Sequence, residues 1–133
     1  PRSTLFPYTT LLRSLINSQK EMSQGAARGF FNLITTNKWF KKQTNNRKIK
    51  LIFGRPNLTY SYCRGNEIVL AAGQLNMVVI CHELAHIIVP KAKQHHNANF
   101  CRVYLKMVKK FIGKKEYHQL KKQFIKNNIN FRK

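Results

Sequence analysis

The sequence predicts an α+β domain: an N-terminal helix, a short antiparallel hairpin, a buried central helix and two C-terminal helices. Three observations carry that expectation. Apolar residues recur at helical spacing in four segments, and strand-like alternation is confined to residues 49–70. That middle region is also punctuated by the turn signals Gly54-Arg55-Pro56 and Arg64-Gly65-Asn66. With 133 residues and a hydrophobic fraction of 43%, the chain has material for one buried core and little for a second. No uncharged apolar run reaches the ~18–20 residues of a helical membrane span, so no such span is expected.

Residues 1–14 are set apart from a single domain over 15–133. The run TLFPYTTLLRS at residues 4–14 has two threonine pairs, a proline and no helical period. Apart from Leu12 it resembles the in-frame translation of a synthetic sequencing adapter, which makes the segment an artefact or a disordered arm. A signal peptide is not expected, because no apolar stretch of adequate length follows Arg2 and no small-residue cleavage site is present.

Ser18-Gln19-Lys20-Glu21 has the capping-box pattern and starts a helix expected from Gln19 to Thr36, with Met22, Ala26, Phe30 and Leu33 inward. Gly25 and Gly29 weaken its middle. Lys41 to Lys50 (KKQTNNRKIK) reads as an exposed basic loop. Ile49 to Phe53 is a short strand, and Leu58 to Cys63 alternates Leu58/Tyr60/Tyr62 against Thr59/Ser61/Cys63. Arg64-Gly65-Asn66 then turns the chain into Glu67–Leu70, which completes a hairpin. Gln74 to Val89 is apolar enough for a buried helix, stopped by Pro90. Asn97 to Ile112 is an amphipathic helix with Phe100, Val103, Tyr104, Met107, Val108 and Phe111 on one face and Gly113 at its end. A last helix from Lys115 to Lys126 turns Tyr117, Leu120, Phe124 and Ile125 inward.

The buried central helix carries His82-Glu83-Leu84-Ala85-His86. Positions four apart share a helix face, ~5–6 Å between Cβ atoms. Two imidazoles so placed can converge on one Zn²⁺ at ~2.0–2.1 Å. Glu83 is rotated ~100° from His82, beside the metal, where a carboxylate can act as general base. One of only four acids in the chain therefore lies within an apolar run (Val78, Val79, Ile80, Leu84, Ile87, Ile88), and burying a carboxylate without a partner is unfavourable. A catalytic zinc site needs a third protein ligand; His95 and His96 both follow Pro90, and no Asp exists in the chain.

His96-Asn97-Ala98-Asn99-Phe100 is similar to the H-G-x-x-F element that follows H-E-x-x-H in SprT-like metallopeptidases. The order of segments EIVL, HELAH, HHNANF, YLKMVKKFIG and EYHQLKKQF resembles still more a family of small bacterial and phage zincin-like metallohydrolases. The resemblance covers Tyr60 to Asn128. Its departure is Asn97 where that family has Gly, and Asn is among the residues that tolerate a left-handed backbone. The resemblance implies a zincin-like fold and one Zn²⁺ held by His82, His86 and His96, with His95 the alternative third ligand. It further implies Glu83 as base and a peptide or protein substrate. Tyr104 could stabilise an oxyanion, against a plain core role in the Phe100/Met107/Phe111 stripe. His118 is expected at the surface, and Cys81 and Cys101 as packing residues.

The formal net charge is +21, from 25 Lys and Arg against four acids. A basic surface for nucleic acid or another polyanion is one reading, with Lys41, Lys42, Arg47, Lys48, Lys109, Lys110, Lys114 and Lys115 as contacts. SprT-like enzymes act on DNA-associated proteins. The other reading is a solvated face enriched in Lys and Asn by an AT-rich genome. Three scattered cysteines without CxxC spacing fit a reducing, cytoplasmic setting, and a monomer is the default. The leading expectation is a zinc metallopeptidase. The alternatives are a regulatory metallopeptidase of the ImmA/IrrE type, whose third ligand is usually acidic, and a non-enzymatic nucleic-acid-binding protein with a structural metal site.

Overall fold

Glu67–Leu70, the most buried strand, organises a three-stranded sheet in the computed structural model, which describes residues 19–89 and 98–131. The strands are β1 (Lys50–Phe53), β2 (Tyr62–Arg64) and β3 (Glu67–Leu70), in the order β1-β3-β2. β2 and β3 form the expected antiparallel hairpin, with Arg64 opposite Glu67. Gly65 opens its two-residue loop at φ 59, a left-handed value that glycine adopts without steric penalty. β1 adds to the other edge of β3 in parallel, Leu51 opposite Ile68. The sheet is therefore mixed, where a purely antiparallel one was expected.

Among the described residues, five α-helices complete the α+β architecture: α1 (Gln24–Thr35), α2 (Lys38–Gln43), α3 (Met77–Ile88), α4 (Ala98–Met107) and α5 (Lys114–Lys126). Helix α1 begins later than the sequence predicts. Its cap is Ser23, whose Oγ accepts from Ala26 N at 3.1 Å. Residues 20–23 are not helical, because Met22 N donates to Leu75 O at 2.7 Å and ties that backbone to the segment before α3. The buried face of α1 is Ala27, Phe30, Phe31 and Ile34, while Ala26 and Leu33 are exposed. Phe30 faces the core and Met22 packs against it as expected, but the adjacent Phe31 turns the buried face away from Ala26 and Leu33, since it brings more apolar area to the core.

The expected basic loop at 41–50 is partly helical. Asn37 caps α2 by accepting from Trp39 N and Phe40 N. Phe40 is almost fully buried, and Thr44, buried behind it, donates its hydroxyl to Phe40 O. A single aromatic anchor thus converts a polar stretch into one turn and a half of helix. The expected strand at 58–63 is shorter for a different reason. Ser61 N donates to Gln74 Oε1 and Ala71 N donates to Ser61 Oγ, so side chains replace the ladder beyond Tyr62.

Helix α3 is buried on nearly every side and packs against α1, α4, β2 and β3. It starts at Met77, after a 3₁₀ turn at Ala72–Gln74, because Asn76 caps it with Oδ1 accepting from Val79 N at 2.9 Å. The expected helix 97–112 lies partly outside the described residues at Asn97. From Ala98 it runs as α4 and then widens into a π-helical turn at Val108–Ile112, closed by Gly113 N donating to Val108 O. Gly113, at φ 150, separates that turn from α5 instead of forming a left-handed cap. On α5, Leu120 and Phe124 are buried and Tyr117 is half-buried, but Ile125 is 52% exposed and does not face the core.

Asn76 is only 3% exposed and its side chain closes the N-terminus of the central helix. Asn76→Ala should lower stability by about 1–2 kcal/mol in urea unfolding, with Asn76→Ser recovering much of it.

Candidate metal centre

Helix α3 contains nine buried residues over Met77–Ile88, and two of them are ionisable groups that an apolar helix ordinarily excludes. His82 is 7% and Glu83 5% exposed, while His86, one turn on, is half-buried at the margin of the core. Their ligand atoms all lie within 4.8 Å of one another. Donors bound tetrahedrally at ~2.0–2.1 Å stand about 3.3 Å apart, so small side-chain rotations bring the set to metal distance. The ring centroids of His82 and His86 are 4.9 Å apart, edge to face.

Helix α4 supplies a wall for both imidazoles. Phe100 stacks on His86 at 4.3 Å and meets His82 edge-on at 5.3 Å. Tyr104, one turn further, meets His82 edge-on at 5.3 Å. Tyr104 is fully buried, and its hydroxyl faces Val78 O at 3.5 Å, inside the core stripe. Burial, with smaller contributions from neighbouring Cys81, Glu83 and Cys101, holds its phenol well above the ordinary range.

Glu83 decides what the site can hold. Burial alone pushes its carboxyl up to about 8. Among the described residues the only ion pair is Arg64–Glu67, so no described cation offsets it. A buried carboxyl with no counter-charge among the described residues, beside two imidazoles, could stand next to a divalent cation. The other acids lie elsewhere: Glu21 is exposed, Glu67 is paired on β3 and Glu116 is on α5. Cys81 and Cys101 are buried thiols, raised by burial (Cys101 to about 12), as packing residues would be. His118 is exposed beside Tyr117. His95 and His96 lie outside the described residues.

No known family matches the chain, and no curated protein or solved structure is significantly similar to it. Its chemistry therefore has to be read from its own side chains.

Of the basic residues singled out above, Lys41, Lys42, Lys48, Lys109, Lys110, Lys114 and Lys115 are exposed. Lys109 and Lys121 lie over the Tyr117 ring at 4.9 and 5.6 Å, and Lys106 and Lys110 over Trp39 at 5.4 and 6.0 Å. Arg47 is different. Its guanidinium donates to Thr44 O, to Asn66 Oδ1 and to Ile87 O, clamping the hairpin loop to the last turn of α3. Its three contacts serve the fold, a role that a basic stretch in sequence does not announce. Phe100 and Tyr104 were expected in the core stripe, with Tyr104 a candidate oxyanion stabiliser; that both rings also wall the two imidazoles follows only from the packing of α4 on α3.

In metal-free protein the raised carboxyl makes stability depend on pH. The folded state keeps a Glu83 proton up to about pH 8 that the unfolded chain releases near pH 4.5. The contribution of Glu83 should be fully present below pH 4.5 and be lost as pH rises towards 8. Glu83→Gln should therefore gain on wild type over that window, by about 2–4 kcal/mol at pH 8 in urea unfolding with chelator present. A difference that does not change with pH would contradict the buried, uncompensated carboxyl.

Proposed function

We propose that this chain is a zinc-dependent metallohydrolase, and specifically a metallopeptidase. The observation that carries the reading is the convergence of His82, Glu83 and His86 on one buried helix, with no cation among the described residues paired to the carboxyl. Two imidazole donors suit zinc better than calcium or magnesium, which take oxygen ligands, and Glu83 stands beside them as the base. A catalytic site with three protein ligands needs one more, and His96 is assigned that place with His95 as alternative. Phe100 stacks on His86 and stands only four residues after His96, a tether short enough to return that imidazole to the same centre. The acidic third ligand of an ImmA/IrrE-type site has no candidate among the described residues outside the pair-bound or distant glutamates.

A bound divalent ion supplies Lewis-acid polarisation of a carbonyl and a lowered pKa for water. The protein supplies the rest. His82 and His86 present neutral nitrogen donors from one helix face, and the Phe100 and Tyr104 rings restrict their rotation. Glu83 takes a proton from the attacking water onto a carboxylate oxygen and delivers it to the leaving amine.

One zinc per chain is expected by metal analysis of purified protein. His82→Ala, His86→Ala and His96→Ala should each lose it, and His95→Ala should keep it. Glu83→Gln should keep zinc while hydrolysis of an unstructured protein such as casein falls about 10²–10⁴-fold. Undiminished hydrolysis in Glu83→Gln ends the peptidase reading, and zinc retained by His82→Ala ends the metal site.

A further inference from the structure

The face of the sheet turned away from the core carries a second feature. Register places Tyr62 opposite Val69 and Ile52 opposite Val69, whereas Cys63, Ile68 and Leu51 form the alternate set. Leu51 and Ile68 belong to the core and Cys63 packs against it. Val69 is 5% exposed and lies on the other face, outside the main apolar cluster. It forms the floor of a cavity of about 710 Å³ between the sheet and the segment Gly54–Tyr60.

Four side chains give this cavity its chemistry. Tyr60 and Tyr62 both line it while remaining 57% and 40% exposed. Arg55 and Arg64 line it as well, and none of the lining residues is acidic. The Arg64 guanidinium lies 6.0 Å from the Tyr62 ring centre. Glu67 reaches Arg64 from outside the cavity at 3.5 Å, an exposed pair whose net contribution is small. The frame is held in place before anything binds. Ser61, between the two tyrosines, is bonded through its backbone to Gln74 and through its hydroxyl to Ala71. Gly54 N donates to Leu70 O, and a Cβ at Gly54 would collide with Leu58, so the segment seats closely on the strand end.

We propose that this groove binds single-stranded nucleic acid, with bases stacked on Tyr60 and Tyr62 and the phosphate backbone drawn along Arg55 and Arg64. Exposed rings next to arginines, one on β2 and one on the segment before it, offer stacking and charge but few main-chain hydrogen bonds. That combination suits unpaired bases, whose π-faces are accessible, and not a duplex, whose bases are already stacked. An acidic peptide would use the arginines and leave the rings idle. The formal charge of +21 supplies the long-range attraction, and the groove supplies the preference for strand form. The site is separate from the metal centre: Tyr62 and Arg64 point to the sheet face opposite Cys63, which packs with the core beside α3.

Fluorescence anisotropy with a labelled 12-residue oligothymidylate and a blunt duplex of equal length tests this. Wild type should bind the single strand more tightly at 50 and at 200 mM salt. Tyr60→Ala/Tyr62→Ala should weaken single-strand binding about tenfold or more and leave duplex binding unchanged. Tyr60→Phe/Tyr62→Phe should retain it, because the ring and not the hydroxyl is used. Lys114→Gln/Lys115→Gln should weaken both forms alike. Equal affinity for the two forms, an unaltered Tyr→Ala double variant, or competition by polyglutamate as effective as by oligonucleotide would each overturn the proposal.

Discussion

A carboxyl group sits inside an apolar helix with nothing charged among the described residues to compensate it, and the rest of the structure is arranged around that constraint. Glu83 could be held neutral, or a cation could stand beside it. The two imidazoles at His82 and His86 make the second solution available without altering the backbone. An apolar residue at position 83 would pack better, so the carboxyl is a stability penalty retained at one place in the core.

The helix that bears this group is fastened at both ends by side chains distant in sequence or buried in place. Asn76 satisfies its first turn, and Arg47 reaches from beyond α2 to the Ile87 carbonyl in its last turn. Arg47 also holds Asn66 in the hairpin loop, so helix, hairpin and the end of α2 share one guanidinium. On the flank, Phe100 and Tyr104 from α4 confine the imidazoles. Two neutral rings need such confinement because an unliganded histidine would otherwise sample several rotamers.

Charge is distributed unevenly in purpose. Several lysines lie over the rings of Trp39 and Tyr117, contributing to cover of apolar surface as much as to an external field. The Arg47 guanidinium is engaged within the fold by three hydrogen bonds. Arg55 and Arg64 border a cavity with two exposed tyrosines on the opposite side of the sheet from the core. A count of basic residues in the sequence treats all of these as equivalent, and the structure separates them by what each guanidinium or ammonium already touches.

What could be read along the chain were the features set by neighbours within a turn or a hairpin: the α+β class, the Gly65 hairpin, the end of α3 near residue 89, and the two histidines with a glutamate on one helix. Periodicity and turn chemistry act over a few residues, so they survive in the linear record. Folding in three dimensions decided the rest. The parallel docking of β1, the late start of α1 after Met22 bonds to Leu75, the short α2 anchored by Phe40, the exposed Ile125 and the clamp by Arg47 each depend on a partner far along the chain. Burial is likewise a property of the assembled core, and it is burial that raises Glu83 and turns a four-residue spacing into a site with chemistry.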